Sequence, residues 1–188
     1  MTTLRPPAGG SDRSSRGTQD AAPGPPTRDV LILGVGNRLL RDDGVGCRVV
    51  AELVRPGLPA GIQAVDGGTL GRDLLPLVAT AAALVIVDAV DLRTEPGTVT
   101  ALHGDAAAET LRGAGALGGG GMGDLIAHAR LAGRLPEPII LVAIQPASIE
   151  PGLGLTTAVE AAVPRAAELA TREAVAARAG LPGRGARS

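Results

Sequence analysis

The 188-residue chain contains no Phe, Tyr, Trp or Lys; all 18 basic residues are Arg, set against 19 acidic ones for a formal net charge of -1. Without aromatic rings there is nothing for unpaired bases to stack on, which excludes the usual modes of single-stranded nucleic-acid binding. Arginines scattered through a nearly neutral chain leave no footprint for a phosphate backbone. The single cysteine, Cys47, can form neither an internal disulfide nor a structural zinc site. No apolar run approaches the roughly 18 residues a membrane span needs, and no apolar h-region of a secretory signal is visible. The expected setting is the cytoplasm, with neither membrane nor nucleic acid as partner.

What is present is Leu, Val, Ile and Ala, from which one domain of ordinary size can still build a core. Residues 1–28 hold nine Gly or Pro, too little apolar surface to offset ordering entropy, and read as a disordered tail. Residues 181–188 read as a second, shorter one. Between them, residues 29–180 alternate strand and helix signals. Asp29 to Val35, Ile62 to Val65, Leu84 to Asp88, Thr98 to Leu102 and Ile139 to Ile144 are short apolar runs of the kind buried in parallel sheets. Helices are expected over Gly44–Arg55 (Val45, Val49, Val50, Leu53 and Val54 on one side), Thr69–Ala79 (Thr69 as N-cap, Pro76 as a blemish), Asp105–Arg112, Asp124–Ala132 and Thr156–Ala177. Gly113 to Gly123 reads as a glycine-rich loop, mobile or an anion nest. The alternation implies an α/β fold, a three-layer α/β/α sandwich around a mostly parallel five-stranded sheet.

In such sheets ligands bind beyond the carboxyl ends of the strands. Asp42 and Asp43, Asp66, Asp88 and Asp91 all fall there. Carboxylates converging on one crevice repel unless a cation or a proton intervenes. Oxygen-rich sites favour divalent metals, and an added imidazole tilts the choice to nickel, zinc or iron. Each acid also has a plainer role: Asp42 and Asp43 as helix caps, Asp66 as a turn initiator, Asp88 as a loop cap. His103 reads as solvated, His128 as the local partner of Asp124, and Cys47 as a small core residue. A dinucleotide site is suggested by Gly34-Val35-Gly36 and by Asp66 ending strand two. However, Leu39 stands where the third glycine belongs, and Asp42 and Asp43 would face a pyrophosphate.

Taken in order, Leu33-Gly-Val-Gly-Asn-Arg-Leu-Leu-Arg-Asp-Asp-Gly-Val-Gly46, Val65-Asp-Gly-Gly-Thr69, Val87-Asp-Ala89, Gln145-Pro146 and Gly154-Leu-Thr-Thr-Ala-Val-Glu160 resemble the hydrogenase maturation endopeptidases. These are the nickel-dependent C-terminal processing proteases of NiFe hydrogenases, classed with aspartic-type endopeptidases. The resemblance covers about residues 30–170. It implies a cytoplasmic, monomeric enzyme that removes the C-terminal extension of the large-subunit precursor after nickel insertion. It also implies nickel recognition by an acid ending the first loop, an Asp after strand two and a His in a later loop. The first two carry over to Asp43 and Asp66, whether as metal contacts, catalytic groups or both, with the nickel presented by the substrate's cysteines. The family His falls at about Gly118, inside Gly115-Ala-Leu-Gly-Gly-Gly-Gly-Met-Gly123. Three alternatives follow: His103 supplies the third ligand, His128 does, or two carboxylates serve alone. The resemblance equally allows a non-catalytic relative that binds precursor or nickel as a maturation checkpoint.

Overall fold

A computed structural model describes residues 29–114 and 121–181. Along the chain lie β1 (Val30–Val35), α1 (Val45–Val54), β2 (Ile62–Gly68), α2 (Leu75–Val78), β3 (Ala83–Ala89), β4 (Val99–His103), α3 (Gly104–Ala114), α4 (Met122–Leu131), β5 (Ile139–Ile144) and α5 (Thr157–Gly180). The strands pair in the order β2-β1-β3-β5-β4. The β1–β2, β1–β3 and β3–β5 pairs are parallel, and only edge strand β4 runs antiparallel, against β5. Four strands therefore end on one edge of the sheet, which is where the acidic residues gather.

Alternation along each strand divides the core in two. Val30, Ile32, Val85 and Val87 face α1 and α5, whereas Leu31, Leu33, Leu84 and Ile86 face α2, α3 and α4. Burying each of these aliphatic side chains contributes about 1.5–3 kcal/mol, and the central strands are aliphatic on both faces because helices cover both. On α5 the face turned to the sheet carries Ala162, Ala166, Ala170 and Ala174, all buried. This stripe of small residues brings the helix close to strands whose own side chains are branched. The α/β/α sandwich and the mostly parallel five-stranded sheet are those expected from the sequence.

Local boundaries differ for physical reasons. The helix expected from Thr69 is a 3₁₀ turn at Gly71–Leu74 followed by α2, which has Pro76 in its first turn. Pro belongs there, because a first-turn N–H has no intrahelical acceptor to lose. Thr69 is thus no cap. Val54, expected on the apolar side of α1, is 52% exposed. The glycine-rich loop is shorter than Gly113–Gly123, since Gly113 ends within α3 and Met122 opens α4. The rest of it, residues 115–120, lies outside the described residues, as do residues 1–28 and 182–188 of the two expected tails.

Candidate active site

The first loop is shaped by glycines that face protein rather than open space. A Cβ on Gly34 would meet Gly46 O at 2.2 Å, and one on Gly46 would meet Val87 O at 2.2 Å and Val35 O at 2.3 Å. The start of α1 thus lies directly on the ends of β1 and β3, a separation no side chain permits. Gly36, at φ +124°, has its Cβ position filled by Asp43 O at 1.7 Å. Asp43 O occupies the Cβ side of Gly36, the second glycine of the dinucleotide pattern, which adds to the case against the dinucleotide reading.

The two adjacent acids of that loop do different things. Neither makes a side-chain cap bond, which corrects the plain helix-cap reading. Asp42 is fully buried and accepts four hydrogen bonds from the segment after β5. They come from the N–H groups of Ala147 (2.9 Å), Ser148 (3.0 Å) and Thr156 (2.6 Å) and from Thr156 Oγ1 (2.9 Å). Its role is to tie that segment to the first loop. Asp43 is also buried, with Oδ2 accepting the Asn37 N–H at 2.6 Å. Burial raises its pKa, and the Asn37 bond opposes the rise. Its charge acts on Asp88 at the end of β3, whose carboxyl is pushed up to about 7 by burial first and by Asp43 second. Asp43 and Asp88 thus form a close acidic couple that holds a proton more readily than either acid would in water.

Asp66 lies on the other side of the loop. The register between β1 and β2 pairs Gly34 with Asp66 and Val35 with Gly68, so Gly67 is bulged out of the ladder. This bulge turns Asp66 into a cavity of about 380 Å³ lined by Asn37, Arg38, Cys47 and Thr69. Arg38 pairs with Asp66 Oδ2, and the Gly68 N–H donates to Oδ1 at 3.1 Å. Cys47 lines the same cavity, buried, with its thiol donating to Gly36 O at 3.5 Å and raised to about 11 by burial and by Asp66. Such a thiol is no nucleophile at neutral pH. Arg38 was not singled out by sequence reasoning, although it stands within the motif between Asn37 and Asp43. Gln145, also without a role at that stage, positions the β3–β4 loop by accepting from Leu92 N at 2.7 Å and donating to Asp91 Oδ1 at 3.4 Å. Asp91 is thereby a loop-forming residue.

The histidines are elsewhere. His103 pairs with Ile140 near the start of β5, because β4 runs backwards along it. It is four residues, about 13 Å at strand rise, from the edge that holds the acids, and it faces Glu173 of α5 at 3.8 Å. It therefore cannot serve as the third ligand. His128 bonds through Nδ1 to Asp124 O at 2.8 Å, the local pairing expected of it, although the partner is the backbone carbonyl. Among the described residues no three His, Cys, Asp or Glu side chains gather closely enough to hold a metal ion.

A family model of hydrogenase maturation proteases (HycI) matches residues 47–173, more than half the chain. The chain belongs to the hydrogenase maturation protease family. It is 37% identical over 141 residues to the hydrogenase 2 maturation protease of Escherichia coli, covering 74% of this chain and 86% of that protein. The hydrogenase expression/formation protein HupD of Rhodobacter capsulatus is 40% identical over 124 residues, 64% of this chain and 59% of that one. Among solved structures, the hydrogenase maturating endopeptidase HybD from E. coli superposes with a TM-score of 0.69 at 35% identity, covering 77% of this chain and 93% of that one. The [NiFe] hydrogenase maturation protease HybD from Thermococcus kodakarensis does so at 0.63 and 28% identity, covering 78% and 99%. For a maturation protease of this fold, the acid-rich edge between the first loop and β2 is the candidate active site. No helix of the described residues is long and apolar enough to cross a membrane.

Proposed function

We propose that this maturation protease acts in the cytoplasm on a NiFe hydrogenase large-subunit precursor, removing its C-terminal extension once nickel has been inserted. Processing of that precursor is the family's role, and the observation supporting a nickel-dependent form here is the division of labour among the acids. Asp66 faces a cavity, held by its pairing with Arg38 through Oδ2 and by the Gly68 N–H on Oδ1. Asp43, across the first loop from it, is held by the Asn37 N–H. Two carboxylates are too few and too hard to retain a borderline divalent ion alone. They suit nickel already held by thiolates of the precursor, completing its shell and orienting the peptide. Asp66 is the outer contact and Asp43 the inner one. Binding requires Arg38 to leave Asp66, so the guanidinium holds that site until a cation takes its place.

Intact-mass spectrometry of a nickel-loaded precursor incubated with the protein tests this. The expected result is loss of the C-terminal extension, abolished in Asp66→Ala. An unchanged precursor mass under conditions where a relative of the family cuts it would refute the proposal. No histidine stands anywhere in the 113–123 stretch, and this favours a second reading, a relative that binds the precursor without cutting it. Stable complex formation with an intact C-terminus is the outcome that selects that reading.

A further inference from the structure

A second cavity, of about 490 Å³, adjoins the first and shares Arg38 and Cys47 with it. Its walls are the outer face of α1 on one side and the Leu153–Leu155 segment with Glu160 on the other. Its volume lies in the range of pockets that take small ligands or a few peptide side chains. Three arginines, Arg38, Arg41 and Arg48, face it against one glutamate, although the chain as a whole is slightly acidic. Their states differ. Arg38 is engaged by Asp66, and Arg48 by Glu52 at 3.2 Å and Glu160 at 2.9 Å. Arg41 has no ion-pair or side-chain hydrogen-bond partner among the described residues. It is nevertheless positioned: its guanidinium stem lies on Gly152, where a Cβ would meet Nε at 2.9 Å and Cζ at 3.2 Å. Its backbone N–H donates to Gly152 O at 3.0 Å. Beside it Leu39 and Leu153 are 63% and 79% exposed. A preorganised cation without an anion, flanked by bare leucines, is half of a recognition site.

We infer that this cavity is the subsite for the tail of the precursor, with Arg41 receiving an acidic side chain of that tail and Leu153 covering a neighbouring apolar one. This rests on the proposed processing reaction. The tail is favoured over the precursor's folded body because the cavity admits a few side chains and not a globular surface. The shared wall at Arg38 makes it the next space reached by a chain leaving Asp66. The two cavities together form one path from the metal contact to the tail.

The chain lacks fluorescent aromatics, so dansylated peptides report binding without background. Three probes suffice: dansyl-Leu-Glu-Leu amide, dansyl-Leu-Gln-Leu amide, and dansyl-Leu-Gln-Leu with a free terminal carboxylate. The acidic-side-chain peptide is expected to bind the full chain at least about fivefold more tightly than the neutral amide, an advantage that fades as salt rises. Arg41→Gln, which keeps most of the stem, and Leu153→Glu, at an exposed rim position, should each remove the advantage. Arg134→Ala, in the loop between α4 and β5, should not. Equal or undetectable binding of acidic and neutral amides at millimolar concentration would overturn the inference. So would equal loss in Arg134→Ala, or a terminal carboxylate serving as well as the side chain. Cleavage of the precursor with no peptide discrimination defeats this inference alone. Discrimination without cleavage defeats the reaction and leaves the subsite standing.

Discussion

Replacing Asp42 by Ala removes the shared acceptor of four hydrogen bonds, three from backbone N–H groups and one from a hydroxyl. Bonds to an ionised acceptor are each worth about 1.5–3 kcal/mol, and a buried donor left unpaired costs about 1–3 kcal/mol. Not all of that is lost. Ala147 is exposed, so its N–H turns to water, while Ser148 and Thr156 are half-buried and recover less. The net cost should be about 3–5 kcal/mol, a large share of the roughly 5–15 kcal/mol that holds a domain together. For a chain of this length that corresponds to a fall in Tm of about 10 °C or more. Asp42→Asn should be intermediate, because its amide group presents donors to donors. Thr156→Val, which loses only the hydroxyl bond, should cost about 1 kcal/mol. Urea unfolding followed by far-UV circular dichroism measures all three without aromatic signals. If Asp42→Ala unfolds within about 1 kcal/mol of the parent, the reasoning that this carboxylate holds two segments together is refuted.

Two further outcomes follow from the same edge of the sheet. The folded state favours protonated Asp88, whose carboxyl stands at about 7 against an ordinary 3.8. The stabilisation this gives is complete below the ordinary value and lost as pH rises through 7, so thermal stability should fall from about pH 4 to about pH 7 and level off above, and Asp88→Asn should flatten that slope; an unchanged slope counts against the acidic couple. Gly46→Ala places a methyl 2.2 Å from Val87 O and 2.3 Å from Val35 O, so it should unfold the protein or cost several kcal/mol by separating α1 from the sheet. A melting temperature within a few degrees of the parent would show that the helix can shift cheaply.

Strand periodicity was readable because the three inner strands, β1, β3 and β5, are buried on both faces, and a continuous run such as Val30 to Val35 admits few alternatives. The family resemblance pointed to Asp43 in the first loop, but the residues alone gave no physical reason to separate it from Asp42. That choice depends on contacts 105 to 114 residues away, with Ala147, Ser148 and Thr156. His103 was misplaced for a related reason: its position hangs on the direction of β4, and an edge strand entered by a loop can pair either way. Arg38 was overlooked because an arginine in a polar loop carries no periodic signal. Only the bulge at Gly67 brings Asp66 to face it.

The Asp42 bonds have a mechanical side. They join the Arg41–Asp43 turn to the Ala147–Thr156 segment, and Arg48–Glu160 joins the helices that follow each of them. The two walls of the larger cavity are thereby one body and cannot part without breaking buried bonds. A peptide coming in must therefore be admitted by the opposite bank, where Arg38 and the residues after Gly68 hold fewer tertiary bonds. On that bank the bond to be broken is the exposed Arg38–Asp66 pair.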